Sequence, residues 1–308
     1  MLFSKLIIET EKEVEQYFDT LFDMAVKNQV HSGDLLLVME GALLSREKDY
    51  DNPDAVELKN YYNIGKGLDG HCEDTNYGFI AEYVNSTENE SFEDYKKAIE
   101  FDPVRSHELR DITEGESITI QIEMLIYLKI WEGETFLKKF YQLLRLVNRE
   151  EYDWHCTVNG FGKAKQGSLS RAELLSFIKS QLETHIPGLS TSFNECHVPQ
   201  VRNAISHSQY AIIGRDIMFN NYEPEREGSI RGISFDDWTD MFHRTLAIFH
   251  LYNKLFRRIR LYYYESSAEF RHKKEVRVNR IFPELHSFHL VLHTRPIFMD
   301  WGPSPDNY

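Results

Sequence analysis

The sequence predicts a mainly α-helical protein: a helical bundle with one small β-hairpin, preceded by a helical N-terminal region. Three observations predict it. Apolar residues recur at three- and four-residue spacing through most of the 308 residues. Helix-start signals stand where such patterns begin, with Pro199 suited to a first turn and Ser170 paired with Glu173 as a capping box. A short pair of β-type runs, Tyr210–Ile213 and Ile217–Phe219, flanks a Gly-Arg-Asp turn.

Taken in order, residues 5–30 read as an amphipathic helix, with Leu6, Val14, Tyr17, Phe18, Leu21, Phe22 and Ala25 on one side. Asp34 to Leu44 is a short apolar run expected to form a second helix. Asp49 to Asp54, with its Asn-Pro step, reads as a loop. The glycine-rich stretch Gly65–Gly70 lacks the Gly-x4-Gly-Lys-Ser/Thr order and follows no strand signal, so it is not read as a nucleotide loop. Asn85–Ser91 is a polar loop before a helix at about 92–100. Residues 116–148 have the strongest periodicity, with Ile118, Ile122, Leu125, Ile126, Leu128, Phe136, Leu137, Phe140, Tyr141, Leu144 and Val147 making a wide apolar surface. Gly133 interrupts it, which leaves one bent helix or two packed helices.

Residues 148–155 and 159–167 read as loop. Ser170 opens a helix over 171–185, which Pro187-Gly188 should end. Another helix starts near Val198, with Val198, Val201 and Ile205 as its apolar stripe. A last long helix, 236–264, turns Trp238, Met241, Phe242, Leu246, Phe249, Tyr252, Leu255 and Phe256 inward. Beyond it lie a basic segment, Arg271–Arg280, a strand-like run at Phe288–His293 and a tail expected to be loose after Pro303. The expected organisation is an acidic helical region at 1–115, a helical bundle at 116–268 and a basic appendage at 269–308.

Composition bounds the function. The chain is 42% hydrophobic and 27% charged, as in soluble globular proteins. No apolar run approaches the ~18–20 residues that span a bilayer, and the start turns acidic too soon for a signal peptide. Three cysteines make no disulfide framework, so a cytoplasmic location is expected. The net charge of −14 argues against a broad duplex-binding surface. It is uneven: residues 1–100 hold 9 Lys/Arg against 22 Asp/Glu, and residues 251–308 hold 10 against 6. A local basic groove is compatible with that distribution.

The chemistry centres on 198–210. His207 lies two positions past Ile205, about 200° around a helix, and points away from the apolar stripe. Asn203, four residues earlier, shares its face, and Arg202 is long enough to reach the same patch. An imidazole exchanges protons near neutral pH. A guanidinium grips phosphate oxygens and stabilises the charge of a pentavalent transition state. RNA carries its own nucleophile, the 2′-OH, so such a set needs no metal.

Arg202, four intervening residues and His207, within Arg-Asn-Ala-Ile-Ser-His-Ser and followed by a hairpin and another amphipathic helix, resemble the Arg-x(4–6)-His motif of HEPN domains. The likeness covers roughly residues 116–265. It implies a HEPN-like helical bundle acting as a metal-independent endoribonuclease in a toxin or antiphage-defence setting, without cofactor. It further implies a homodimer whose two copies of Arg202, Asn203 and His207 form one composite site that leaves a cyclic phosphate. An antitoxin or regulatory partner is expected in that setting. In HEPN toxins silenced by a nucleotidyltransferase, a Tyr follows the motif His after one residue. Gln209 stands there in this chain and Tyr210 comes one later, so that mode of silencing does not carry over directly.

Tyr210, Arg257, Arg258 and Arg260 are the candidate RNA contacts, because aromatic rings stack on bases and arginines neutralise phosphates. Their alternative role is aromatic packing with snorkelling arginines. The alternative for the whole protein is a non-catalytic helical interaction or nucleotide-binding module that dimerises through the same helix. Three adjacent pairs, His71-Cys72, His155-Cys156 and Cys196-His197, lack the Cys-x(2–4)-Cys spacing of structural zinc sites. His286, His289 and His293 do not all share a face at strand spacing, and no metal site is assigned. Glu123, Glu132 and Glu134 are expected to be solvated, with one of them a potential salt-bridge partner of Arg202.

Overall fold

The structure is a computed structural model. It describes residues 2–44, 62–65, 67–85, 91–100, 105–158, 168–265, 273–280, 286–295 and 300–304. It is mostly helical, with small antiparallel sheets. The expected loops at 49–54, 86–90 and 159–167, Arg271 and the last four tail residues lie outside the described residues.

The first unit comprises Met1–Gln16, Asn76–Gly133 and Gly188–Leu251, and the second Tyr17–Thr75, Glu134–Pro187 and Tyr252–Tyr308. Each therefore draws on three separated stretches of chain. The helices are α1 (Ser4–Asn28), α2 (Asp34–Glu40), α3 (Gly67–Asn85), α4 (Phe92–Ala98), α5 (Ser106–Trp131), α6 (Glu134–Val147), α7 (Arg171–His185), α8 (Pro187–Cys196), α9 (Pro199–Ser206) and α10 (Phe235–Glu265). The strands are β1 (Leu43–Leu44), β2 (Tyr62–Asn63), β3 (Tyr210–Ile213), β4 (Asp216–Phe219), β5 (Gly232–Ser234), β6 (Lys273–Arg280), β7 (His286–Arg295) and β8 (Asp300–Pro303).

In the first unit, α5 and α10 bury Ile120, Met124, Ile126, Tyr127, Ile130 and Trp131 with Trp238, Phe242, Leu246 and Ile248. Trp238 lies parallel to Phe242 with ring centres 5.9 Å apart, and its indole N–H donates to Glu123 at 2.7 Å. Glu123 also accepts from the Tyr83 hydroxyl at 3.3 Å and is fully buried. The expectation of a solvated Glu123 is thus overturned: two hydrogen-bonded ring donors hold its carboxylate inside. The expected apolar surface of 116–148 is also corrected in part. Ile118, Ile122 and Leu125 face solvent, 64%, 38% and 58% exposed, while α5 buries a neighbouring arc.

Gly133 separates α5 from α6, which resolves the choice left open by the sequence. The Ser170 capping box forms as expected, with the side chain accepting from Glu173 N. Pro187 does not simply end α7; it opens α8, because proline suits a first helical turn. The Gly214-Arg215 connection joins β3 to β4 in the register Tyr210↔Phe219 to Ile213↔Asp216, and β5 adds a third strand. Arg215 is tied to the buried Glu116 of α5 and to Asp236 in the first turn of α10, the latter at 3.0 Å.

In the second unit α6 contributes Phe136, Leu137, Phe140, Leu143, Leu144 and Val147 to the core, alongside α7 and α2. The basic segment forms β6, paired with β7 along Lys273↔His293 to Arg280↔His286. Val276, Val278, Leu290 and Leu292 fill the buried face of that pair. Gly65 has φ +106, and a Cβ there would meet the Arg295 guanidinium and the Trp301 carbonyl. Glycine is required at that position by backbone and by space.

His243 on α10 is fully buried between two backbone groups. Its Nδ1–H donates to the Thr239 carbonyl at 2.7 Å, and Nε2 accepts from Phe3 N at 2.9 Å. Both nitrogens are therefore committed to the neutral ring, and burial pushes its pKa down to about 4. A depressed histidine pKa means that the unfolded chain takes up the proton first, so this contribution is intact above pH ~6.5 and is lost as pH falls towards 4. The destabilisation caused by His243→Gln, measured by urea unfolding, should be smaller by about 2 kcal/mol at pH 5 than at pH 7.5.

Candidate functional site

Helix α9 is held from both ends. At its start Val198 is the N-cap and Pro199 the first helical residue, as the sequence predicts. The Gln200 side chain donates to the Ile230 carbonyl at 2.7 Å and accepts from Ile230 N at 2.9 Å, and Asn221 donates to the Gln200 carbonyl at 2.9 Å. Val201, Ala204 and Ile205 are buried, so the apolar stripe faces the core. The Tyr127 hydroxyl donates to the Cys196 carbonyl at 2.9 Å, which fixes the approach to the helix from α5.

The other end is closed by a Schellman motif. Gln209 N donates to the Ala204 carbonyl at 2.7 Å and Ser208 N to the Ile205 carbonyl at 3.2 Å. His207 is the C-cap, with φ −105 and ψ 10. Ser208 follows in the left-handed region at φ 53, where glycine is the usual residue. His207 is exposed, and its backbone N–H donates to the Asn203 carbonyl at 3.0 Å, one turn back. Asn203 and His207 thus stand one turn apart on a face that the core does not occupy.

Arg202 is turned towards α5. Its Nη1 donates to Oε1 of Glu132, the C-cap residue of that helix, at 3.0 Å, with the side chains 25% and 28% exposed. Of the three glutamates considered in the sequence, Glu132 is the one paired with Arg202. A guanidinium has five donors, so one bond to Glu132 orients the fork and leaves it capacity for phosphate oxygens. Tyr210 opens β3 two residues past Ser208 and is half-buried.

Arg202, Asn203, His207 and Tyr210 therefore belong to one short segment of the first unit. Arg257, Arg258 and Arg260 belong to the second unit, on the last turns of α10. Arg258 donates to Asp19 at 2.6 Å and Asp23 at 3.2 Å, and its guanidinium lies 3.9 Å from the centre of the Phe22 ring. Arg257 is exposed, and Arg260 is half-buried, its Nε without a partner among the described residues. Tyr263 accepts from Leu36 N at 3.2 Å and donates to Gln29 at 3.0 Å, while Tyr262 packs edge-on against Phe22. Both tyrosines are committed to contacts within the second unit.

Cys196 and His197 are buried, with the His197 ring 4.9 Å from that of Trp131. Cys156 is buried and its thiol is pushed up to about 12, so it stays protonated. Cys72 is exposed on α3. Among the described residues no group of three or more His, Cys, Asp or Glu is placed to hold a metal ion. Likewise, none of the described helices is long and apolar enough to cross a membrane.

Three features of the site have no signal in the sequence: the left-handed Ser208, the Gln200–Ile230 clamp and the choice of Glu132 as partner. Each depends on chain far from α9 or on a backbone state that serine seldom adopts. No family model, curated protein or solved structure matches this chain.

Ser208→Gly should raise the unfolding free energy by about 1 kcal/mol, because glycine carries no left-handed penalty. Ser208→Val should lower it by at least as much, since a branched side chain fits that region worst. Equilibrium urea unfolding of the three proteins checks the order.

Proposed function

We propose that the protein is a metal-independent endoribonuclease of the HEPN type, whose composite site joins Arg202, Asn203 and His207 from two copies of the chain. One observation carries the reading: a solvent-facing His207, fixed at the end of α9, stands one turn from Asn203, which directly follows an Arg202 held by Glu132. An exposed imidazole with its backbone locked on both sides is suited to proton transfer.

In this reading one copy's His207 takes the proton of the 2′-OH, and the 2′-oxygen bonds to the adjacent phosphorus. The bond from phosphorus to the 5′-oxygen breaks, and that oxygen takes a proton from the other copy's imidazolium. The products are a 2′,3′-cyclic phosphate and a 5′-hydroxyl. Arg202 stabilises the negative charge on the phosphorane, and Asn203 orients His207 or the substrate. Tyr210 offers a ring for base stacking. Two copies are needed because one helix supplies one imidazole, whereas the transfer uses a base and an acid. A toxin or defence role with an antitoxin or regulatory partner follows from the resemblance.

The Arg202–Glu132 pair favours a second reading, in which α9 is a non-catalytic interaction face whose cation is already compensated. One experiment separates the two. Purified protein is incubated in EDTA with a fluorescently labelled RNA, beside His207→Ala and Arg202→Ala. Cleavage with cyclic-phosphate ends, reduced at least ~100-fold in His207→Ala, supports the nuclease. An intact RNA in the wild-type reaction, or equal cleavage by His207→Ala, overturns it. The exposure of His207 makes its replacement a test of chemistry and not of folding.

A further inference from the structure

Helix α5 carries an apolar stripe that nothing among the described residues covers. Ile118, Ile122 and Leu125 are 64%, 38% and 58% exposed, although α5 already presents its buried side to the core of the first unit. Large aliphatic side chains at i, i+4 and i+7 on the solvent side form one continuous strip, of the kind that marks a contact surface. The strip is bounded by opposite charges. Glu114 lies four residues before Ile118 and Lys129 four residues after Leu125, and both are exposed. At ~100° per residue the five side chains fall within an arc of about 80°.

The ends are held in place within the unit. Arg110 donates to Glu114 at 3.0 Å. Lys129 donates to Asn76 on α3 at 3.2 Å, and its ammonium lies 5.6 Å from the centre of the Phe79 ring. Phe79 is itself 45% exposed and lengthens the apolar surface on that side.

We infer that this face of α5 binds a second copy of the chain, with the two helices antiparallel about a two-fold axis between residues 121 and 122. The charge pattern selects that partner. Reversing the strip upon itself sets Ile118 against the copy's Leu125 and Glu114 against the copy's Lys129, so both ends are oppositely charged. A parallel pairing would instead oppose Glu114 to Glu114 and Lys129 to Lys129. A two-fold contact requires that kind of self-complementarity, whereas a foreign protein places no such demand on both ends of one strip.

This contact goes beyond the nuclease reading and is separate from the contact which that reading needs. The axis lies between residues 121 and 122 and Glu132 lies 10.5 residues from it, so the two Arg202–Glu132 pairs would stand roughly 30 Å apart along the helices. A chain using both two-fold contacts assembles past the dimer, into a closed set of four or an open array.

The test is the concentration dependence of mass, by analytical ultracentrifugation, for the wild type, Leu125→Asp, Glu114→Lys, Lys129→Glu and the Glu114→Lys/Lys129→Glu double variant. The wild type should self-associate, and Leu125→Asp and each single charge reversal should raise the dissociation constant at least about tenfold. The double reversal restores both opposite-charge ends and should return the constant to within about threefold of wild type. Circular dichroism of Leu125→Asp should match the wild type, because that side chain faces solvent. A monomeric wild type, association unchanged by Leu125→Asp, or a double variant no better than the singles overturns the proposal, as does vesicle binding through this face without self-association. RNA cleavage by each variant is read separately, so a failure of the α5 contact leaves the nuclease test standing on its own.

Discussion

The candidate site depends on where the side chain of Arg202 is held. Left to itself on a short helix, a four-bond arginine samples many rotamers and presents no fixed charge. Glu132 restricts it from a neighbouring helix, at 3.0 Å and with both side chains about a quarter exposed. A pair of that exposure adds about 1 kcal/mol or less to stability, because water still screens it. Its effect is on orientation. The pair fixes the direction of the guanidinium while His207, on the adjoining face, is left open to solvent. The Schellman closure adds the second restriction, since it holds the His207 backbone at a non-helical ψ, just past the last α-helical residue.

The overall charge of −14 makes these local arrangements decisive. For the RNA substrate proposed above, a surface of this net charge offers no long-range attraction, so the proposed binding rests on a few phosphate contacts and on stacking. Arg258, one of the cations that the sequence nominates, is neutralised by Asp19 and Asp23 and covers the Phe22 ring. That arrangement is the ordinary fate of a basic residue in an acidic chain. A cation that serves a ligand needs a partner that orients it without consuming its donors, and Arg202 with a single bond to Glu132 meets that description.

Much of the helical framework was legible in the residues. Periodicity and caps place α1, α6, α7, α9 and α10 closely, and the hairpin turns at Gly214-Arg215 within the Gly-Arg-Asp step that signals it, with Asp216 already in β4. Three kinds of element escaped. Helix α3 begins within a glycine-rich stretch with weak patterning, and α8 begins at a Pro-Gly pair that reads equally well as a stop. Strands β5 and β8 are three and four residues long, too short for any period to show. On α5 the failure was one of direction. Apolar residues lie all round that helix, so Ile118, Ile122 and Leu125 looked like core when the buried arc belongs to Ile120, Met124, Tyr127 and Ile130. For the site itself, the sequence supplied the residue types on α9. It could not supply the partner of Arg202 or the left-handed Ser208, because those are fixed by tertiary contacts.

Buried ionisable groups divide the two units in their response to acid. In the first unit His243 is neutral in the fold and charges in the unfolded chain, so falling pH works against that unit between about 6.5 and 4. In the second, burial raises the Asp34 carboxyl to about 6, against the hydrogen bond from His31 N, and raises Glu40 to about 7, where Asp300 adds repulsion. A carboxyl with a raised pKa is protonated in the fold while the unfolded chain is still ionised. Its stability is full below the unfolded value near 4 and is lost as pH rises through 6 or 7. Over one pH window, acid therefore weakens the unit that carries α9 and strengthens the other. The His243 contacts with Phe3 and Thr239 make the first unit's share of that response a property of α10's buried side, remote in sequence from Arg202, Asn203, His207 and Tyr210.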